Sequence, residues 1–211
     1  MNIIKIVNQV AGENTYILEN DSHLMVIDPG SNREKIQEKI YQLQKPVSAI
    51  LLTHTHYDHI LSLDAIYDTF GQPTVYVAAE EMDWLTNPEL NLSGLPRHDD
   101  MENLIIEAPA ESFILHKPYQ LDGFEFTVVP TPGHSIGGVS FIFNKEECVI
   151  TGDALFKESI GRTDLYTGNL SQLKEGIITH LFSLPKHYTV YPGHGQNTTI
   201  AHEKTFNPWF H

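Results

Sequence analysis

The chain has 211 residues, 41% hydrophobic and 19% charged, with 13 basic against 27 acidic residues and a formal net charge of -14. This is the composition of a globular protein with material for a sizeable core, and it argues against a nucleic-acid partner, which needs clustered Lys and Arg to neutralise phosphates. One cysteine rules out an internal disulfide framework, and neither a secretory signal nor an apolar run of membrane-spanning length is present, so the expectation is one cytoplasmic domain, 1–211, with no membrane partner and its oligomeric state open.

The first thirty residues read as β structure: IIKIV, TYILEN and LMVIDPG are short apolar runs between polar breaks, and Asp28-Pro29-Gly30 is a turn by composition. Ser31 has the pattern of a helix N-cap with Glu34 as its capping-box partner, Ile36, Ile40 and Leu43 follow at helical spacing, and Pro46 closes the segment. VSAILL is almost continuously apolar, as in a strand covered on both faces. LLTHTHYDHI, residues 51–60, stands at its C-terminal end. Ile60, Leu63, Ile66 or Tyr67, and Phe70 resume helical spacing with Gly71 as a cap. PTVYVAA is a further strand, and a short helix is expected around 80 to 85. Residues 86 to 111, with Pro88, Gly94, Pro96 and Pro109, read either as a lid or substrate wall or as a surface insertion.

The second half repeats the theme. FEFTVVPTPGH, VSFIF and ECVITGD are strands, Ser171 to Leu184 is a helix with Leu173, Ile177, Leu181 and Leu184 inward, and YTVYPGH is a short final strand. Two strand-rich halves with covering helices are best buried as two sheets packed together with helices outside.

The histidines carry the chemistry. Neutral imidazole is a common ligand for zinc and similar cations. In an extended segment residues two apart point the same way, so His54 and His56 can share one cation. Asp58 and His59, at the turn into the next helix, can address a second. PTPGHS places His134, VITGDALF places Asp153 and VYPGHG places His194, each at the end of an apolar strand. Strand ends gathered along one edge form a crevice. The seven ligands divide naturally: His54, His56 and His134 for one metal, Asp58, His59 and His194 for the other, and Asp153 between them with its two oxygens. Metals held about 3.5 to 4 Å apart can share a water or hydroxide.

This pattern resembles the metallo-β-lactamase-fold hydrolases, and within them the glyoxalase II-like group, from IDPG through LTHTHYDH, PTPGHS, TGDALF and SIGRTD to YPGHG. The resemblance implies an α/β fold, an αββα sandwich of two mixed sheets flanked by helices with the metal site at one edge, and the same division of ligands. True β-lactamases of the fold usually carry a cysteine at one ligand position; the matching position here is Asp153, and Cys148, five residues earlier, is expected to be a small buried hydrophobe. Glutathione-thioester hydrolases of the group carry a C-terminal helical region, a tyrosine shortly after the last histidine ligand, and a basic and tyrosine pair beyond the bridging aspartate. This sequence ends at NPWFH, has Gln196 in GHGQNTT, and has Arg162-Thr163-Asp164, so it looks most like the short single-domain members.

The expected reaction is hydrolysis of a small thioester by a hydroxide shared between two divalent ions, zinc first, with iron or manganese as the other candidates. Asp58 would orient the hydroxide or carry a proton, and Arg162 would bind a substrate carboxylate or else pair with Asp164. Asp28 would support a ligand histidine or simply form its turn, and Ser135 would bond the local backbone. Other readings are a single-iron persulfide dioxygenase using His54, His134 and Asp153, and a phosphoesterase. His23, His98, His116, His180, His187, His202 and His211 fit no ligand pattern and are expected at the surface.

Overall fold

The computed structural model describes residues 1–95 and 102–211, so Pro96 and His98 of the irregular segment lie outside the described residues. The chain divides into two compact units, one of residues 1–113 and 121–123, the other of 114–120 and 124–211. Each contains a mixed sheet with helices, as an α/β chain of this kind should.

The first unit holds a six-stranded sheet in the order β1 (Asn2–Val7), β2 (Asn14–Glu19), β3 (Leu24–Ile27), β4 (Val47–Leu51), β5 (Thr74–Val77) and β6 (Ala110–Ser112). The first three strands are antiparallel neighbours, and β3 to β6 run parallel. Helix α1 (Arg33–Leu43) links β3 to β4, and α2 (Tyr57–Ile60) and α3 (Leu63–Thr69) link β4 to β5. Leu24, Val26 and Ile50 pack with Ile36, Ile40, Leu63 and Ile66 of the helices. Three of the four residues from Ala49 to Leu52 are wholly apolar side chains of Ile or Leu, and all four are completely buried, which is the doubly covered strand that VSAILL predicts.

One sequence expectation is corrected here. Ser31 does not cap α1: its Oγ accepts the Val10 N–H at 3.0 Å, and Asn32 occupies the N-cap position without a side-chain cap bond. A long-range backbone donor has taken the hydroxyl that local pattern assigns to the helix. The predicted helix after the histidines is two pieces, broken at Ser62, whose Oγ donates to Gly30 O.

The second unit holds a sheet in the order β14 (Thr198–Thr199), β13 (Thr189–Pro192), β10 (Cys148–Gly152), β9 (Val139–Phe143), β8 (Phe124–Pro130) and β7 (Pro118–Leu121), beside a small hairpin of β11 (Leu155–Phe156) and β12 (Ser159–Ile160). β10 and β13 are parallel, which is the crossover that brings the ends of both strands to one edge. Helix α4 (Leu170–Gly176) makes the crossover and continues as one π turn, Ile177–Leu181. Asn169 caps it by accepting Gln172 N–H at 3.1 Å. Leu173, Ile177 and Leu181 are fully buried against Val149, Val190 and Ile200, whereas Leu184 is only half-buried. The sequence pattern gave no sign of α5 (Ile200–Phe206), whose cap is Thr199 Oγ1 accepting His202 N–H at 3.1 Å.

Cys148 is buried in β10, and burial pushes its thiol up to about 12. It behaves as the expected small hydrophobe. Among the described residues no helix is long and apolar enough to cross a membrane.

Candidate metal centre

In the first unit the chain leaves β4, bends at Thr53 and then turns once in α2, and this places His54, His56, Asp58 and His59 beyond one strand end. All four are buried. The rings of His54 and His56 stand edge to face with centroids 4.7 Å apart, and those of His54 and His59 are 4.2 Å apart. His59 Nε2 lies 3.8 Å from Asp58 Oδ2. Three imidazoles and a carboxylate so close form a donor set that suits a cation of the zinc type.

The tautomers follow from hydrogen-bond accounting. Asp28 is an acceptor of three bonds: Thr53 N–H at 2.8 Å on Oδ1, and Thr53 Oγ1–H at 2.6 Å and His59 Nδ1 at 3.0 Å on Oδ2. A carboxylate offers only acceptors, so His59 carries its proton on Nδ1 and its lone pair on Nε2. Thr53 has given its single hydroxyl proton to Asp28, so its oxygen must accept from His54 Nδ1, 3.1 Å away. That puts the lone pair of His54 on Nε2 as well. One carboxylate thereby orients two candidate ligand rings, one directly and one through a threonine, the kind of support that metal-bound histidines usually have. Asp28 also makes its predicted turn, at φ 49°, a left-handed conformation that Asp tolerates better than most residues.

Several supporting residues had no signal in the sequence. Glu81, fully buried in the 3₁₀ helix Ala79–Thr86, accepts Thr55 N–H at 2.7 Å and Thr55 Oγ1–H at 2.9 Å on one oxygen. Asp28 and Glu81 thus grip Thr53 and Thr55, the alternate residues of the strand end whose neighbours are the histidines. Trp84 of the same helix stacks on His56 at 6.1 Å between centroids. Beneath His59, Glu13 is held by Asn8 Nδ2–H, and burial pushes its carboxyl well above the usual range, with His59 opposing and Asp28 and Asp58 reinforcing the shift. Ligand atoms of Glu13, Asp28 and His59 lie within 4.8 Å of one another. Since Asp28 and the Nδ1 proton of His59 are committed to each other, this group reads as support and not as a second cation site.

In the second unit His134, Asp153 and His194 follow β8, β10 and β13, as the sequence predicts, and meet at one edge. Asp153 Oδ2 lies 3.4 Å from His134 Nε2 and 3.3 Å from His194 Nε2, between the two rings. His134 Nδ1–H donates to Arg162 O at 2.8 Å, so its lone pair also sits on Nε2, facing Asp153. The ring of Phe156 stands edge-on to His194 at 5.9 Å. Two glycines permit these approaches. Gly133 has φ 123°, and a Cβ there would come within 2.4 Å of Asn169 O; a Cβ on Gly161 would lie 1.9 Å from Asp153 O.

Of the two roles expected for Arg162, the structure shows the pair with Asp164. Its Nε and NH2 donate to Asp164 at 2.7 and 2.8 Å, a bidentate pair that raises the guanidinium pKa further. Ser135 does not bond the backbone through its side chain: its buried Oγ has no hydrogen-bond partner among the described residues. The described outlying histidines are partly or fully exposed, with His187 against Glu147 at 3.2 Å and His202 against Glu158 at 2.7 Å; His98 lies outside the described residues.

Comparison with known proteins agrees with this geometry. The family model described as Metallo-beta-lactamase superfamily matches residues 9–194. A Streptococcus pyogenes protein described as a probable metallo-hydrolase is 61% identical over 100% of this chain and 91% of its own length. The hydroxyacylglutathione hydrolase GloC of Haemophilus influenzae is 31% identical over 92% of this chain and 90% of its own. Among solved structures, the BLEG-1 B3 metallo-beta-lactamase superposes with TM-score 0.92 at 36% identity, covering 99% of both chains. TTHA1623 in a di-iron-bound form superposes with TM-score 0.83 at 30% identity, covering 98% of this chain and 99% of that one.

Proposed function

The chain belongs to the metallo-β-lactamase superfamily of metallohydrolases, and from that premise we propose that it hydrolyses a small thioester at a binuclear centre. In this reading His54, His56 and His134 hold one cation, Asp58, His59 and His194 hold the other, and Asp153 serves both. The closing of the two sets, one from each unit, on a single centre is part of the proposal. The observation that carries it is the fixed tautomer of three of the histidines, each with Nδ1–H committed to the protein and the metal-binding nitrogen left at the inner edge.

Bound there, two divalent cations, zinc in this reading, supply an acidified water as nucleophile and Lewis acidity for the carbonyl oxygen. The chain's own residues do the rest. Asp28, through His59 and Thr53, keeps two rings aimed without any reorganisation during the reaction. Asp58, a buried carboxylate of the same set, would orient the nucleophile or carry a proton. A thiolate leaves readily near neutral pH, so no separate general acid is required. The likeness to GloC supports the thioester bond as the target.

A second reading, amide cleavage in a β-lactam, is favoured by the likeness to BLEG-1. It uses the same attack on a carbonyl but a leaving nitrogen that must be protonated. Purified protein assayed on acyl-thioesters, on nitrocefin and on bis-p-nitrophenyl phosphate, with elemental analysis of the same preparation, separates the readings. Thioester turnover with two zinc per chain is the expected result. Nitrocefin turnover alone would establish the second reading. One iron per chain with oxygen uptake on a persulfide would replace both, and the di-iron relative makes iron the cation to test beside zinc.

A further inference from the structure

The second unit carries a surface feature beside His134 that the metal chemistry does not use. Loop 133–136 and loop 162–169 are stapled at three points: His134 Nδ1–H to Arg162 O at 2.8 Å, Asn169 N–H to Gly133 O at 2.7 Å, and Ile136 N–H to Thr167 Oγ1 at 3.1 Å. The second loop is tightly defined. Thr167 holds φ 64°, an uncommon conformation for a β-branched residue, and a Cβ on Gly168 would come within 2.3 Å of Thr163 O. Such strain at one loop is kept only where the surroundings over-determine it.

Ile136 and Tyr166 of these loops, and Leu170 where α4 begins, have 44%, 62% and 40% of their surfaces exposed. The staples bring the backbone of Ile136 to Thr167, next to Tyr166, and that of Gly133 to Asn169, next to Leu170, and neighbouring exposed apolar side chains suit a contact surface. The charge on the same loop is cancelled, because Arg162 pairs bidentately with Asp164 and a substrate carboxylate would have to face that aspartate. Lys157, four residues beyond Asp153 in the chain, donates from its ammonium to Gln196 Oε1 at 3.1 Å.

Resting on the hydrolase reading above, we infer that Ile136, Tyr166 and Leu170 form an apolar subsite for an uncharged hydrocarbon group of the substrate, so that the preferred thioester is neutral and lipophilic and not an anionic peptide thiol. A small thiol reports this without turnover. With the cobalt-loaded full-length protein, titration of the thiolate-to-cobalt absorption should show hexanethiol binding about tenfold tighter than 3-mercaptopropionate. Tenfold is about 1.4 kcal/mol, the value of roughly 55 Å² of apolar surface at about 25 cal/mol per Å², well within what one tyrosine face covers. Tyr166→Ser and Ile136→Ser should each shrink the ratio several-fold, and Tyr166→Phe should keep it.

A ratio near one, a ratio unmoved by both serine variants, or a preference for 3-mercaptopropionate that Lys157→Met abolishes would overturn the inference. Turnover of hexanoyl- and succinyl-N-acetylcysteamine runs beside it. If hexanethiol is preferred but neither thioester is cleaved, the subsite stands and the thioester reading falls. If both are cleaved equally and the thiol ratio is one, the reading stands and the subsite falls.

Discussion

Replacing Asp28 by Asn tests the support beneath the histidines with little change of shape. Asn tolerates the left-handed φ of 49° as well as Asp does, so the backbone is spared. The amide keeps one acceptor, enough for Thr53 N–H, but it presents an N–H₂ where Oδ2 received Thr53 Oγ1–H and His59 Nδ1–H. Two buried donors then face a donor. Leaving one buried partner unsatisfied costs about 1–3 kcal/mol; the threonine can rotate its proton away, so a net loss of about 2–3 kcal/mol in metal-free stability is expected, read by urea unfolding. His59 escapes by moving its proton to Nε2 and accepting from the amide, which removes its lone pair from the metal side. Loss of such support typically lowers metal affinity 10–100-fold. Competition with a chromophoric zinc chelator should show that loss at one of the two sites, with the other less affected. Unchanged affinity at both sites, together with unchanged stability, would refute the hydrogen-bond accounting on which the site description stands.

The remaining predictions are simpler. Glu81→Met should release Thr55 and lower zinc affinity several-fold while the far-ultraviolet circular dichroism is retained, because Thr55 N–H and Oγ1–H both lose their shared acceptor, Oε2; Glu81→Gln, whose amide oxygen can accept both, should cost much less. Gly161→Ala should destabilise the second unit by about 1–3 kcal/mol or more, since the added methyl meets Asp153 O, and limited proteolysis will detect it. Cys148 should resist alkylation in the native protein at pH 8 and react fully in urea, following its thiol pKa of about 12. Glu19, held below its ordinary range by Lys45 and by Asn2, has a depressed folded-state pKa. Its contribution is therefore fully present above about pH 4.5 and is lost as pH falls through the lowered value; Glu19→Gln should flatten acid unfolding there by no more than about 1 kcal/mol, as for a mostly surface pair.

The positions of the candidate ligands were legible in the sequence because each sits just beyond an apolar strand or in the single helical turn that follows one, where period and spacing speak directly. His54 and His56 alternate with Thr53 and Thr55 for the same reason, and the parallel pairing of β10 with β13 brings Asp153 and His194 to one edge. The residues that hold them were not legible. Glu81 lies 26 positions from Thr55, and Glu13 is 46 positions from His59, so nothing local announces either one. Ser31 shows the converse, a sound local capping signal overridden by Val10 N–H from 21 residues away. The helix ends with the π turn at Leu181, three residues short of the expected Leu184, which still packs on the same core as Leu173, Ile177 and Leu181 but only half-buried.

The central proposal is that the candidate ligands of the two units surround one pair of cations. X-ray absorption of the zinc-loaded full-length protein, with elemental analysis of the same sample, addresses it most directly. Two zinc ions per chain, with a metal–metal distance of about 3.5 to 4 Å that disappears in Asp153→Ala, is the predicted result. Two isolated zinc ions with no metal–metal vector, or a spectrum indifferent to Asp153→Ala, would contradict it.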